Sequence, residues 1–438
     1  MPVSTAPPAA AATDAAYDAL YARVSRRLLP FLFLCYVAAY LDRVNVGFAK
    51  LAMQADLQFS DTVYGLGAGM FFIGYFVFEV PSNVLMTKVG ARRWIARIMI
   101  SWGAISSLLM FTDSAASFYV LRFLLGVAEA GFFPGVILYL TYWYPAARRA
   151  RIVALFMSGV AVAGVVGGPL SGAILHTFDG RAGLHGWQWL FLLEGLPSMA
   201  LGVWTLFYLD DGIAGARWLS PHDKLLLQQA IDADARSQAH WPLRRLFASG
   251  AVWRLALIYF LFVMGLYGVS FWLPQLVRNT GVRDVFEIGL LTAIPYGVAA
   301  LVMVLAARHS DRSGERRWHT ACAGFAGAAG LVVCTLYGAR ADIALPALCV
   351  ATAGILSTFP IFWSLPTALL GGVAAAAGIA LINSVGNLAG FVSPYLVGAI
   401  GDATGSTAAG MYVLAGCLAL GGVLTLAAVG RGQGAGAP

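Results

Sequence analysis

The stretch Tyr40-Leu41-Asp42-Arg43-Val44-Asn45 sets an acid, a base and an amide inside the first long apolar run of the chain. A second charged pair, Arg122 and Glu129, lies inside the fourth such run. Charges at that depth cost about 2.5–3.5 kcal/mol each on insertion scales, so they are rare and mark function. An Arg offers a planar fork that donates two parallel hydrogen bonds to a carboxylate and keeps its charge. An Asp or Glu out of water can take up and release a proton. Two acids and two bases in the first third of the chain therefore describe a path for protons and anions. The alternative is structural ion pairs joining the first and fourth runs, although a buried pair is a poor source of stability.

Spacing adds detail. Arg122 and Glu129 are seven residues apart, so on a helix they share a face about 10 Å apart along the axis. Arg122, near the outer end of its run, suits a gate or a side chain that snorkels to the surface. Tyr36, Tyr40 and Arg43 fall at i, i+4 and i+7, an aromatic stripe leading to a guanidinium, with Asp42 and Asn45 on a neighbouring face. Later, Asn383 and Asn387 fall at i, i+4. Such buried amides can bind a ligand's hydroxyl or carboxylate groups, or hydrogen-bond another helix. Tyr75 and Trp363 read as cavity walls. Tyr267 and Trp272 read as walls or as interfacial aromatics. Glu79, two residues before Pro81, reads as structural or gating, and Glu194 as structural.

These residues need a membrane around them. The 438 residues are 60% hydrophobic and 11% charged, where a soluble chain carries about 25% charged residues. Fifty glycines suit close packing of membrane helices. A bilayer needs about 20 apolar residues per helix. Runs of that length fall at 28–49, 62–87, 94–112, 117–141, 151–176, 187–209, 252–277, 285–307, 318–338, 342–368, 372–400 and 406–429. Twelve helices with no strands is the expected fold class, all-α integral membrane. With the N-terminus inside, 21 Lys and Arg fall in cytoplasmic segments and 5, Lys50 among them, in outer ones. That asymmetry places both termini in the cytoplasm. It also accounts for the formal charge of +7 through anionic lipid rather than nucleic acid.

The five cysteines lie in apolar runs without metal-ligand spacing and read as small buried hydrophobes. The six histidines fall in loops or at helix ends, which argues against an intramembrane metal. No nucleophile–His pair or sizeable soluble domain supports an enzyme or sensor, and no cofactor is expected. Residues 1–27 read as a disordered tail and 28–209 as a six-helix bundle. The longest polar stretch, 210–250, reads as a central loop, 251–430 as a second bundle and 431–438 as a tail.

A weak repeat supports the division into halves. Lys88-Val89-Gly90-Ala91-Arg92-Arg93 follows the second run, and Asp311-Arg312-Ser313-Gly314-Glu315-Arg316-Arg317 follows the eighth. Both resemble the Asp-Arg-x-Gly-Arg-Arg loop motif of the major facilitator superfamily, although Thr87 stands where the first copy would carry its acid. Tyr40–Gly47, Glu79–Asn83, Arg122–Pro134, Tyr142–Pro145, Phe271–Pro274, Phe362-Trp363 and Ile382–Asn387, in this order, resemble the anion:cation symporter branch.

The resemblance implies two pseudo-symmetric six-helix bundles with the substrate site between them near the midplane. It implies a proton-coupled symporter of the inner membrane that imports a small organic carboxylate by alternating access. Its only energy source would be the proton gradient, and many relatives act as monomers. Asp42 and Glu129 would carry the proton. Arg43 would bind the carboxylate, helped by Arg122. Tyr40, Tyr75, Trp363, Asn383 and Asn387 would shape the pocket. Glu79, Gly90, Arg92, Asp311, Arg312 and Gly314 would serve structure and gating. Relatives move sugar acids, tartrate-like diacids and aromatic carboxylates. The aromatic walls and Val160-Ala161-Val162 lean away from a heavily hydroxylated sugar acid. Gly164-x-x-x-Gly168-Pro169-x-x-Gly172 partly resembles an antiporter motif. It keeps open a proton-coupled efflux antiporter for drugs or metabolites.

Overall fold

A computed structural model describes residues 8–236, 248–366 and 372–428. Twelve of its helical stretches are long and apolar enough to cross a membrane, and no strand occurs among the described residues. Spans one to six are Tyr17–Leu57, Asp61–Val89, Ala91–Phe111, Ala115–Thr141, Ala146–Phe178 and Gly186–Tyr208. Spans seven to twelve are Gly250–Asn279, Val285–Ser313, Arg317–Leu336, Ala341–Pro366, Gly378–Thr404 and Ala408–Ala427.

Local signals set several ends. Ser60 caps span two by accepting from Val63 N at 3.2 Å, and Asp284 caps span eight by accepting from Glu287 N at 2.9 Å. Ser114 and Ser117 form a reciprocal capping box on span four, supplying partners to N–H groups a helix start leaves free.

Packing repeats with a period of six spans. Span one packs on five, two on four and three on six, and these contacts recur as seven on eleven, eight on ten and nine on twelve. The halves meet where span two packs on eleven and span five on eight, a pair of contacts that the same pseudo-symmetry exchanges. Both seams rely on missing side chains. A Cβ on Gly65 or Gly69 would overlap backbone of span eleven, and one on Gly168 or Gly172 would overlap backbone of span eight.

The sequence expectations need correction at the face that carries the termini and central loop. Helix begins at Pro8, so residues 8–27 are helical rather than a disordered tail. Leu20, Tyr21 and Val24 are buried because Tyr21 stacks on Tyr144 at 5.8 Å, while Asp18 accepts from Arg148 at 2.5 Å. The central loop contains a helix, Pro221–Arg236, tied back by Arg23–Asp223 at 2.8 Å and Arg149–Asp234 at 3.3 Å. Residues 1–7, 237–247 and the expected tail 431–438 lie outside the described residues.

At the loop motifs, Gly90 has φ +98° and Gly314 φ +67°, left-handed turns that favour glycine. The acid missing at Thr87 comes from elsewhere: Asp211 accepts from the Arg92 backbone N–H at 2.9 Å and lies 3.9 Å from its guanidinium. In the second copy Asp311 pairs with Arg316 at 2.5 Å, while Arg312 is exposed. The cysteine reading holds for Cys35 and Cys334 and fails for exposed Cys322, whose run faces outward there.

The opposite face is closed. Lys50, expected in an outer loop, is buried, paired with Asp61 at 3.0 Å and 3.7 Å from the Trp272 ring centre. Asp402 accepts from the backbone N–H groups of Asp61 and Thr62 at 3.0 and 2.9 Å, and Arg278 donates to the Leu51 carbonyl at 2.8 Å. Span one therefore continues as helix to Leu57 because Trp272 and Asp61 give Lys50 a buried partner set.

One close approach holds the site's walls together. A Cβ on Gly126 of span four would overlap the Phe71 carbonyl of span two. Gly126→Leu should cost about 1–3 kcal/mol or more, the range for overpacking. It should lower the thermal midpoint of the detergent-purified protein, whereas Gly416→Leu, with open space around it, should leave the midpoint unchanged.

Candidate functional site

One continuous helix and one broken helix build the centre. Span one runs through it without interruption: Asn45 keeps right-handed helical angles, its N–H donates to the Leu41 carbonyl at 2.9 Å and its carbonyl accepts from Ala49 N at 3.0 Å. Span four ends its first helix at Glu129 and resumes at Phe132. Between them Gly131 sits at φ +88°, and a Cβ there would overlap Ser82 of span two. The left-handed conformation and the close approach both require glycine. Glu129 thus stands at a helix end facing Arg43 of span one.

There the Arg43 guanidinium donates to Glu129 Oε1, closing an ion pair between spans one and four. Glu129 is fully buried and Arg43 is 8% exposed. A second Arg43 nitrogen donates to the Tyr267 hydroxyl of span seven at 3.2 Å, so one guanidinium touches both halves. Its carbon lies 5.2 Å from the Phe71 ring centre and 5.4 Å from that of Tyr75. The set is incomplete, because Arg43 Nε and Glu129 Oε2 have no hydrogen-bond partner.

Arg122 is fully buried rather than snorkelling. It donates to the Gly67 and Ala68 carbonyls of span two at 3.4 and 3.2 Å, because Gly126 lets spans two and four approach closely enough. Its guanidinium carbon lies 5.3 Å from the Phe71 ring centre, so Phe71 is flanked by two cations. One nitrogen, NH1, remains unpartnered.

Asp42 points elsewhere. Successive helical residues are about 100° apart, and Asp42 turns into the first bundle while Arg43 faces the seam. It accepts from Trp102 Nε1 at 2.9 Å and Ser106 Oγ at 2.9 Å, both on span three, and from Ser198 Oγ of span six at 2.5 Å. Three donors saturate the carboxylate and fix the rotation of span one.

The aromatic and amide residues distribute around the seam. Tyr40 shares a hydrogen bond with Ser270 of span seven at 3.2 Å, and Tyr296 of span eight donates to the same hydroxyl at 3.2 Å. Tyr75 is buried against the Arg43 guanidinium. Trp363 packs on Tyr259 at 4.8 Å and on Phe362 at 5.6 Å. Asn387 faces Glu79 across the seam, and Arg43 is the cation that acts on Glu79. Asn383 lies partly buried one turn before Asn387. Gly90 and Arg92 lie at the junction of spans two and three, and Asp311, Arg312 and Gly314 at the end of span eight, both away from this centre.

Sequence reasoning did not place Tyr267 as Arg43's partner, nor Lys50 as a buried seal. Nothing local distinguishes one membrane tyrosine from another. Lys50, seven residues beyond Arg43 and just past the run 28–49, carried a signal in that helical spacing. The centre holds two bases, Arg43 and Arg122, and two acids, Glu79 and Glu129, and is formally neutral. Among the described residues no group of His, Cys, Asp and Glu could hold a metal ion.

Known proteins share this organisation. A candidate tartrate transporter of Agrobacterium vitis is 49% identical over 92% of this chain and 90% of its own. A quinolone resistance transporter of Acinetobacter baumannii is 42% identical over 92% and 93%. The crystal structure of a D-xylose-proton symporter superposes with a TM-score of 0.74 at 15% identity, over 93% of this chain and 99% of that one, a likeness of fold. The family model of the Major Facilitator Superfamily matches residues 32–394. With its twelve spans in two related halves and its charged centre on the seam, this chain belongs to the major facilitator superfamily: it is a multi-pass membrane transporter and not an enzyme.

Proposed function

We infer that this transporter carries a small organic carboxylate together with protons, importing it across the inner membrane by alternating access, with both termini in the cytoplasm. The observation that carries the reading is the incomplete ion pair of Arg43 and Glu129 on the seam between the halves. With Glu129 ionised, Arg43 is occupied. A proton on Glu129 removes its claim, and a substrate carboxylate takes both faces of the guanidinium fork. A centre that is neutral when empty stays near neutral when an anion and a proton enter together, which a low-dielectric site requires.

In this reading Arg43 anchors the carboxylate and Tyr267 completes its donors from the second half. Arg122 adds positive potential through Phe71. Tyr40, Tyr75 and Trp363 wall the pocket, and Asn383 and Asn387 supply amide contacts. Glu129 is the proton carrier nearest the substrate, and Glu79 joins it as a second acid beside Arg43. Asp42, the other acid of span one, couples through the rotation of that helix. The proton gradient alone supplies the energy.

Efflux is the rival reading, favoured by the 42% identity to a quinolone resistance transporter. Proteoliposomes with an imposed inward proton gradient separate the two. Labelled L-tartrate and phthalate should accumulate and be lost with a protonophore. Failure of every acid tested, with a fluoroquinolone driven against the proton gradient, would sink the anion reading.

Arg43→Ala should abolish acid uptake, since stranding Glu129 and losing the anchor removes about 3–5 kcal/mol of interaction. Arg43→Lys should weaken apparent affinity by about 100-fold or more, because a point charge replaces a bidentate fork. A cation exporter would keep binding its substrate after either change. Glu129→Gln should retain substrate counterflow, which needs no net proton movement. Gradient-driven accumulation should fall about tenfold per pH unit of gradient as the Glu129 proton is lost, and the pH dependence of uptake should flatten, measured side by side in the same liposomes.

A further inference from the structure

Span six carries an acid that the central site does not use. Glu194 is 5% exposed, and Ser171 of span five donates to its Oε1 at 2.7 Å. Beside it stands Asn45, 1% exposed, whose amide faces Glu194 as a second, weaker donor. Asn45 lies on the helix of span one, two residues after Arg43.

The electrostatics differ from those of Glu129. Asp42 of span one is the charged neighbour of Glu194. Among the described residues no Lys or Arg pairs with Glu194, span five offers it the neutral Ser171, and span three surrounds Asp42 with the neutral Trp102 and Ser106. Asp42 already holds three donors, whereas Glu194 has Ser171 and the facing Asn45 amide. Two neighbouring acids without a base are stable at this depth when one of them carries a proton. An amide suits that acid in both states: its N–H₂ donates to a carboxylate, and its oxygen accepts from a carboxylic O–H.

A narrow cleft reaches Asn45 and Ser171, the two polar residues beside Glu194, which itself lies behind them. Its lining includes Asn45 and Ser171, with Leu41 and Gly168 from the first half and Thr292 and Tyr296 from the second. The cleft therefore follows the seam of spans one and five against seven and eight, in the part of the molecule nearer the closed face. When the halves part on that face, the cleft must widen and admit water.

We propose that Glu194, with Asn45 and Ser171, is a second proton-carrying site, loaded through this cleft when the transporter opens on the face opposite its termini. Loading forms one carboxylic O–H bond with a proton given up by water-borne hydronium, and unloading returns it to water. Asn45 ties the site to the helix that carries Arg43. The inference rests on the proton-coupled reading above and deepens it: each substrate would travel with one proton more than Glu129 alone supplies. That extra proton raises the limiting accumulation ratio about tenfold per pH unit of gradient.

Infrared difference spectroscopy of the lipid-reconstituted protein tests this without any substrate. The carbonyl stretch of a buried neutral carboxylic acid should be present, should disappear reversibly as pH rises, and should be missing from Glu194→Gln. Glu194→Asp should keep a shifted, titrating band, which guards against misfolding of the Gln variant. A spectrum unchanged by Glu194→Gln, or a band that ignores pH, would overturn the second site while leaving the Glu129 reading intact. A titrating Glu194 band in a protein whose Glu129→Gln variant accumulates acid normally would instead reject the central reading.

Discussion

The ion pair of Arg43 and Glu129 is the constraint from which the rest of the molecule follows. Glu129 ends a helix, where carbonyl dipoles already make the surroundings negative, so an acid there depends on a cation facing it. Arg43, within the helix of span one, meets it. Neither charge tolerates the bilayer alone. The break of span four at Ala130-Gly131 must therefore stay at the depth of Arg43. Phe71 and Tyr75 shield the pair, and Tyr267 ties it to the second half.

Rotation and approach of the helices are governed by groups that do not touch substrate. Three donors hold Asp42 and so set which way the next residue, Arg43, points. Gly126 lets span two come close enough for its carbonyls to accept from Arg122. The seams of spans two and eleven, and five and eight, are lined by glycine. Apolar surface gives no driving force between helices in lipid, so close van der Waals contact and hydrogen bonds carry association. Small residues at these seams leave the halves in contact without locking side chains together, which suits surfaces that must part and re-form.

Much of this was legible in the chain. Runs of about 20 apolar residues and sparse charge are enough to give twelve spans, because the bilayer admits few alternatives. Arg43, Glu129 and Asp42 stood out because charge at that depth is expensive. The repeated glycine loops marked the two halves. Less legible were Lys50, which looked like a loop residue and is buried on Trp272, and the helical stretch 8–27, which looked like a tail. Arg122 looked free to reach the surface and instead binds span two. In each case the deciding partner is distant in sequence: Lys50 on residue 272, Tyr21 on 144, Arg122 on 67 and 68.

The sequence by itself determined what had to be buried: which segments cross the membrane, and which few charges go with them. Those choices depend on transfer free energies that each segment carries alone. Only the tertiary structure decided which charges meet. Asp42 and Arg43 are neighbours in the chain, yet one points into the first bundle and the other to the seam, because a helix turns about 100° per residue. Whether a buried acid finds a guanidinium, like Glu129, or a serine and an amide, like Glu194, depends on helices brought together from opposite ends of a bundle.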